Sequence, residues 1–236
     1  IDLDYESVSG SVFYLCCSVR LWGKQASGDV LGFCGIINDQ RFVGYEVSSE
    51  IKLYNMDCMD GMKNTPDKFY DLAICDPPYG LGDRLTDGGH KKNPMEKFRK
   101  DYEAKRWDVV PTKEYFIELM RVSVNQVIWG GNYFELPPTR CVICWDKLQY
   151  METFSRCEYA WTSFDKPAKI YQHTSNQPNR THPTAKPIPL YKWLLKNYAK
   201  EGDKILDTHL GSGSIAIACY DMGFDLTGYE IDKDYY

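Results

Sequence analysis

The sequence predicts an α/β fold in which helices cover both faces of a mostly parallel sheet. From residue 51 onward, short apolar runs typical of strands alternate with helical segments, the pattern of parallel strands joined by crossover helices. Ligands of such sheets bind beyond the carboxyl ends of the strands. Polar motifs follow predicted strands directly at residues 76–79, 129–132 and 207–214, so a ligand site is expected along that edge.

The elements can be predicted in order. Residues 1–50 show no sustained periodicity and are treated as an N-terminal extension of unknown role, whereas residues 51–236 form the patterned part. The predicted strands are IKLYNMDC, LAIC, VNQVIWGGN, RCVICWDK, RCEYAWTSF, ILD and LTGYEID. The predicted helices are DGMKNTPDKFYD (a short helix or turn), PTKEYFIELMRVS, PIPLYKWLLKNYAK and the segment after residue 213.

Length, composition and cysteine usage restrict the kind of protein. The chain has 236 residues, 43% of them hydrophobic, which suits one α/β domain with a full core. No apolar run approaches the roughly 18 residues of a membrane-spanning helix. The nine cysteines lie dispersed, mostly within apolar runs, so no disulfide framework or metal site is predicted and the cytoplasm is the expected location.

Basic residues concentrate in two segments, although the net charge of the chain is −5. Residues 84–106 hold 8 Lys or Arg against 4 Asp or Glu, and residues 166–204 hold 8 against 2. Such segments form either ordinary solvated loops or one positive face on an acidic body. The charge pattern leaves both interpretations open.

The stretch ICDPPYG, residues 74–80, ends a predicted buried strand with an acid, two prolines and an aromatic residue. Pro77 and Pro78 fix the backbone and offer carbonyls without N–H groups, which produces a sharp exit from the strand. Asp76 and Tyr79 flank this exit. These residues alone fit a simple turn as well as a reaction site.

A second strand end has the features of a nucleotide site. Asp207 closes the strand ILD, and Gly211, Ser212 and Gly213 lead into a helix whose free N–H groups favour an anion. Glu230 closes the next strand, where a carboxylate accepts hydrogen bonds from ribose hydroxyls. The third glycine of a dinucleotide motif is absent, which disfavours a dehydrogenase. A helix cap for Asp207 and a surface acid for Glu230 are the alternatives.

Three motifs in one order resemble a known family. DPPY (76–79), HPTAKP (182–187) and DTHLGSGS (207–214) are similar to the catalytic, helix-leading and cofactor motifs of the beta group of DNA amino-methyltransferases, the N6-adenine and N4-cytosine enzymes. In that group the catalytic motif precedes the cofactor motif, as here. The resemblance covers about residues 51–236, the expected catalytic domain. It implies the Rossmann-like fold of S-adenosylmethionine-dependent methyltransferases, with a circularly permuted motif order.

The resemblance also implies a cofactor site for S-adenosylmethionine. The methionine part is expected beside Asp207, His209, Gly211, Ser212 and Gly213, the ribose at Glu230, the carboxylate end near Thr184 and Lys186, and the adenine at Asp57. The family usually has an aromatic residue at the position of His209, so an altered contact is expected there, and a catalytic histidine is the sharper alternative. Asp57 also suits a helix N-cap, a compatible role. Its strand, IKLYNMDC, is expected beside the strand that ends in Glu230.

For catalysis, the resemblance implies that Asp76 and the Pro77 carbonyl accept the hydrogens of an exocyclic amine. Pro78 adds no competing N–H, and Tyr79 offers a face to a flipped-out base. Aspartate at the first position favours adenine N6 over cytosine N4. A cofactor-binding remnant without catalysis is the interpretation from another class.

Double-stranded DNA is the implied partner, and the family allows for a cognate restriction endonuclease and a homodimer. About 100 residues separate DPPY from HPTAKP, and predicted strands occupy much of that interval. Because this leaves no room for a large target-recognition domain, DNA contacts are expected in the basic loop 81–108 and the polar segment 165–181.

Overall fold

The computed structural model describes most of the patterned part of the chain. The described residues are 12–15, 36–37, 40–41, 49–81, 108–150, 155–175, 185–233 and 236. Thr184, most of the extension 1–50, nearly all of the basic loop 81–108 and residues 176–181 of the polar segment lie outside them. The predictions that concern those residues therefore stay predictions.

Strands of the described residues form one large sheet. The strand bounds are β1 Val12–Leu15, β2 Ile36–Ile37, β3 Gln40–Arg41, β4 Ile51–Asn55, β5 Tyr70–Cys75, β6 Ser123–Trp129, β7 Val142–Asp146, β8 Cys157–Thr162, β9 Lys169–Gln172, β10 Lys204–Asp207 and β11 Asp225–Glu230. The sheet order is β1-β4-β11-β10-β5-β6-β8-β7-β9, and β2 pairs with β3. Within the large sheet only β1 and β8 run against the common direction, so the predicted mostly parallel sheet is confirmed.

Helices pack on both faces of this sheet. Their bounds are α1 Cys58–Lys63, α2 Lys113–Val122, α3 Ile188–Tyr198 and α4 Ser214–Met222, with a 3-10 turn at Gly131–Tyr133. One buried cluster joins α1 and α2 to the sheet, and a second joins α3 and α4 to its other face. No helix of the described ranges has the length and apolar character that crossing a membrane requires.

The central strands explain why their sequences are apolar without a break. In β5, Leu72 and Ile74 belong to the cluster under α3 and α4, whereas Ala73 and Cys75 belong to the cluster under α1 and α2. Successive side chains of a strand point to opposite faces, so a strand covered on both sides needs apolar residues at every position. The continuous run LAIC is the signature of such burial.

Strand β4 lies beside the strand that ends in Glu230, as the permuted motif order predicts. β4 pairs in parallel with β11, and Asn55 lies opposite Glu230 in the register. The strand that comes early in the chain therefore completes the sheet beside the strand that comes last. This pairing brings Asp57 and Glu230 to the same edge.

Two strands of the sheet have no counterpart in the sequence analysis. β9 lies inside the polar segment 165–181 and pairs in parallel with β7 at the sheet edge. Three of its four residues are exposed, so it has no apolar periodicity by which it could be predicted. β1 lies in the extension 1–50 and pairs antiparallel with β4 at the opposite edge.

Candidate active site

The predicted site residues follow the carboxyl ends of neighbouring parallel strands. Asp76 comes directly after β5, Asp207 and Glu230 are the last residues of β10 and β11, and Asp57 lies two residues after β4. Because β4, β11, β10 and β5 are adjacent and parallel, four carboxylates share one edge of the sheet. Asp57 and Asp207 therefore lie at the same edge of the sheet, although 150 positions separate them in the sequence.

The turn formed by DPPY is stabilised by contacts of Asp76 and Tyr79. The Tyr79 hydroxyl donates to Asp76 Oδ1 at 2.5 Å. Pro77 is buried, and Pro78 is half-buried. Asp76 Oδ2 forms an ion pair with the ammonium group of Lys186. Both carboxylate oxygens of Asp76 therefore have a donor.

The Tyr79 ring lies against the backbone of the turn after β6. Gly130 has a φ of +69°, and a Cβ built there would lie 2.2 Å from Tyr79 Cε1. Glycine is thus required by both its conformation and the close ring. Tyr133 stacks on Tyr79 with ring centroids 5.0 Å apart, and Phe134 meets the ring edge-on. The predicted segment WGGN therefore forms one side of an aromatic cluster.

Lys186 belongs to a chain of alternating charges. Its side chain is only 3% exposed, and its Nζ lies 3.2 Å from Glu158 Oε2 as well as against Asp76. The other oxygen of Glu158 lies 2.5 Å from the Nζ of Lys147. Burial disfavours the charge on Lys186, but Asp76 and Glu158 outweigh it and raise the pKa of the ammonium group. Burial also disfavours the Glu158 carboxylate, yet Lys186 and Lys147 outweigh it and lower the pKa of this carboxyl group below its usual value.

Glu158 and Lys147 are site residues that were not predicted from the sequence. Glu158 is the one acid within the strand-like run RCEYAWTSF, and Lys147 ends the run ICWDK. A charge within a predicted strand of the core is the signal that could have marked Glu158, because buried charges are rarely left without a partner. Its partner could not have been read from the sequence, since Lys186 is 28 residues away.

The two acids of the cofactor half lie in a different setting. Asp207 is 1% exposed, and its Oδ1 accepts from the backbone N–H of His209 at 3.0 Å. Burial, with the negative charges of Asp76 and Glu230, raises its pKa to about 7. Glu230 accepts from the backbone N–H groups of Gly211 and Asp232, each at 2.8 Å, and burial raises its pKa as well.

The glycine turn is open to a ligand. Gly211 and Gly213 have φ values of +53° and +69°, and Gly213 is the N-cap of α4. A Cβ built at Gly213 would meet nothing within 4 Å. The turn therefore presents bare backbone beside two buried carboxylates, and Ser212 lies between the glycines. This donor and acceptor set fits a cofactor that carries ribose hydroxyls and a cationic centre.

His209 is a neutral side chain in this site. Burial lowers its pKa to about 4. Its Nδ1 lies 2.9 Å from Thr208 Oγ1, and its ring meets the edge of Tyr115 with centroids 5.4 Å apart. Asp57 is the N-cap of α1 and accepts from the Met59 N–H at 2.8 Å, so its predicted capping role is confirmed. A contact of Asp57 with adenine stays a prediction.

Comparison with known proteins agrees with this arrangement. A family model for N6/N4 methyltransferases, described as DNA methylase, matches residues 126–236. The type II methyltransferase M.HpaI of Haemophilus parainfluenzae is 35% identical to this chain in an alignment that covers 78% of this chain and 71% of that protein. The chain belongs to the N6-adenine/N4-cytosine DNA methyltransferase family. It is a DNA methyltransferase, and S-adenosylmethionine is its cofactor.

Two solved structures share the fold of this DNA methyltransferase. The M1.HpyAVI complex with S-adenosylmethionine has a TM-score of 0.50 at 18% identity and covers 78% of this chain and 95% of that one. PvuII DNA methyltransferase, described as cytosine-N4-specific, has a TM-score of 0.53 at 12% identity and covers 79% and 84%. The predicted methyltransferase fold is thereby confirmed.

Proposed function

We propose that this methyltransferase modifies the N6 amine of adenine in double-stranded DNA, with Asp76 and Tyr79 acting on the base. The observation that carries the proposal is the position of the Asp76 carboxylate. It lies beyond β5, directly beside the strand that ends in Asp207, so acceptors for an amine adjoin the residues suited to the cofactor. Transfer between two ligands needs such neighbouring sites.

The hydrogen-bond acceptors of DPPY would offset the low nucleophilicity of the target amine. The exocyclic amine of adenine is a poor nucleophile because its lone pair is delocalised into the ring. Asp76 and the carbonyl of Pro77 would accept its two hydrogens, favour a pyramidal nitrogen and stabilise the positive charge that develops on it. Neither Pro77 nor Pro78 has an N–H group that could compete for the lone pair.

The cofactor supplies a methyl group on a sulfonium when it is bound. In the proposal, Asp207 and the turn Gly211–Ser212–Gly213 hold the methionine part, and the carboxylate of Glu230 accepts from the ribose hydroxyls. The supporting observations are the bare backbone at Gly213 and the two carboxylates beside it. Lys186 and Thr184 remain the proposed contacts of the carboxylate end, Asp57 that of the adenine, and His209 packs beside the turn.

The aromatic ring of Tyr79 is the proposed platform for a base taken out of the duplex. An amine that is paired in a duplex is inaccessible, so the target nucleotide must be flipped. The ring is kept in place on one side by Gly130, where no larger residue fits. Stacking of a base on an aromatic ring contributes about 1–3 kcal/mol.

The basic loop 81–108 is the proposed contact to the DNA backbone. Its two ends meet beside DPPY, because the Gly80 N–H donates to Asp108 Oδ1 at 2.9 Å. The chain that carries the lysines and arginines of the loop therefore leaves and rejoins the described structure beside the proposed site of the target base. The polar segment 165–181 is the second proposed contact.

Cytosine N4 is the alternative target. The fold is shared with the cytosine-N4-specific PvuII enzyme, and the acceptors at DPPY suit either amine. Aspartate at position 76 favours adenine, because it is the commoner residue there among adenine enzymes that this chain resembles.

Identification of the modified base tests the proposal. The protein is incubated with tritiated S-adenosylmethionine and unmethylated duplex DNA, and the labelled nucleoside is identified by chromatography. N6-methyldeoxyadenosine is the expected labelled nucleoside. Label in N4-methylcytosine would overturn the choice of base, and the absence of label from all DNA tested with the folded, cofactor-binding protein would overturn catalysis.

A further inference from the structure

The Asp76 carboxylate is fully engaged before any substrate arrives. Its Oδ1 accepts from the Tyr79 hydroxyl at 2.5 Å, and its Oδ2 is paired with the Lys186 ammonium group. Asp76 must nevertheless accept a hydrogen from the target amine in the proposed reaction. One of the two donors therefore has to give up part of its contact when the base enters.

Lys186 has a second carboxylate within reach. Its side chain is 3% exposed, so water does not replace a carboxylate that it leaves. Glu158 Oε2 lies 3.2 Å from its Nζ. A buried ammonium group without a partner is costly, which makes a second acceptor necessary for any movement away from Asp76.

Glu158 is itself fixed by a further cation. Its Oε1 lies 2.5 Å from Lys147 Nζ, and the Lys147 side chain is 14% exposed. The carboxylate is therefore anchored on one oxygen and offers the other to Lys186. Four charged groups thus alternate in sign: Asp76 directly after β5, Lys186 before α3, Glu158 in β8 and Lys147 directly after β7.

We propose that Glu158 is a positioning residue that takes the Lys186 ammonium group while Asp76 accepts the target amine. The inference rests on the proposed function, because it concerns the acceptor role of Asp76. Without the Glu158 charge, Asp76 is the remaining protein carboxylate in ion-pair contact with Lys186, so the ammonium group stays on it and Asp76 is less available to the amine. The loss then appears in the chemical step rather than in binding.

The first test compares two carboxylates whose side chains are exposed to about the same extent. Glu158→Gln removes the charge but keeps the shape, and Glu118→Gln does the same to a side chain that is 26% exposed, against 25% for Glu158, and pairs with Arg121 in α2. For Glu158→Gln we expect kcat to fall about tenfold, with KM for DNA and for S-adenosylmethionine within about twofold. Glu118→Gln should retain the wild-type kcat within about twofold.

A double variant separates this role from simple charge balance. Glu158→Gln alone leaves Lys147 as an unmatched cation, which also endangers folding. Lys147→Met/Glu158→Gln removes both charges, so it is expected to fold more readily and to keep the tenfold loss of kcat. Recovery of the wild-type kcat in the double variant would overturn the inference, as would a wild-type kcat in a folded Glu158→Gln protein.

A measurement that does not require methyl transfer tests the role of Glu158 independently of the proposed function. The pKa of Lys186 is followed through the ¹⁵N resonance of its side-chain nitrogen in Lys147→Met and in Lys147→Met/Glu158→Gln, which differ only in the Glu158 charge. Loss of one of its two carboxylates should lower that pKa, and an unchanged value overturns the sharing of Lys186. If the wild type methylates no base while the pKa falls, the proposed function fails and the shared ion pair stands.

Discussion

Two parts of the same sheet edge hold their carboxylates in opposite ways. Asp76 and Glu158 meet the ammonium groups of Lys186 and Lys147. Asp207 and Glu230, on the neighbouring strands β10 and β11, accept instead from backbone N–H groups, and burial raises the pKa of both. One part has ion-paired lysines built into the fold, whereas the acids of the other part form no ion pair among the described residues.

The difference corresponds to the two ligands of a methyltransferase. An acid that must accept a hydrogen from an amine benefits from partners that hold it in position, as the Tyr79 hydroxyl and the Lys186 ammonium group hold Asp76. Acids whose ionisation is opposed by burial gain most from a ligand that brings positive charge or hydroxyl donors. The sulfonium and ribose of S-adenosylmethionine provide both. The catalytic and cofactor parts should therefore respond differently to removal of their acids.

The largest effect is expected at Asp76. Asp76→Ala removes the carboxylate acceptor for the amine, and methyl transfer should fall about a hundredfold to a thousandfold, the range found when a group that stabilises developing charge is removed. Tritium incorporated into DNA measures the rate. A rate above a tenth of the wild-type value would remove Asp76 from the chemical step.

The next largest effect is expected in DNA binding. Reversal of Lys91, Lys92, Arg99 and Lys100 to Glu should weaken DNA binding about a hundredfold near 0.1 M salt and flatten its salt dependence, because phosphate contacts release counterions. Fluorescence anisotropy of a labelled duplex measures this. The affinity for S-adenosylmethionine should not change. Unchanged DNA affinity would exclude the basic loop from the interface.

At Asp207 we expect opposite effects on binding and on stability. Asp207→Asn should weaken cofactor binding about tenfold, since a carboxylate beside a cationic ligand is lost. It should also raise the Tm at pH 8 by about 3 °C or more, because it removes a buried charge from a domain of this size.

The sign of the stability effect follows from the pKa of Asp207. Its folded pKa of about 7 lies above the usual value, so protonation favours the folded state at low pH and this contribution is lost as the pH rises through 7. The advantage of Asp207→Asn in Tm should therefore shrink between pH 8 and pH 5. Thermal melts at both pH values measure it, and an advantage that grows toward pH 5 would reverse this account of Asp207.

The smallest effect is expected at His209. Burial lowers its pKa to about 4, so the ring is neutral near pH 7 and is a weak base. His209→Phe restores the aromatic character usual for the family and loses the contact with Thr208. We expect the cofactor affinity and kcat to stay within about threefold. A hundredfold loss of kcat in the folded variant would favour the catalytic-histidine alternative.

The sequence predicted the parts of this edge that depend on local pattern. DPPY, the strand of Asp207 and the glycine turn lie within continuous apolar and turn signals, and the permuted position of β4 followed from motif order. β9 could not be predicted, because an exposed edge strand has no apolar side to reveal it. The partners of Lys186 could not be predicted either. Its pairing with Glu158 depends on β8 lying near the segment before α3, which no local pattern encodes.

Calorimetric titration with S-adenosylmethionine tests most directly whether Asp76 and Asp207 belong to separate catalytic and cofactor parts of the site. Asp76→Ala and Asp207→Asn are titrated beside the wild type under the same conditions. The account predicts that Asp76→Ala, although inactive, binds the cofactor within about threefold of the wild type, while Asp207→Asn binds about tenfold more weakly. Equal losses of cofactor affinity in the two variants would contradict it, because the two groups of acids would then act as one site.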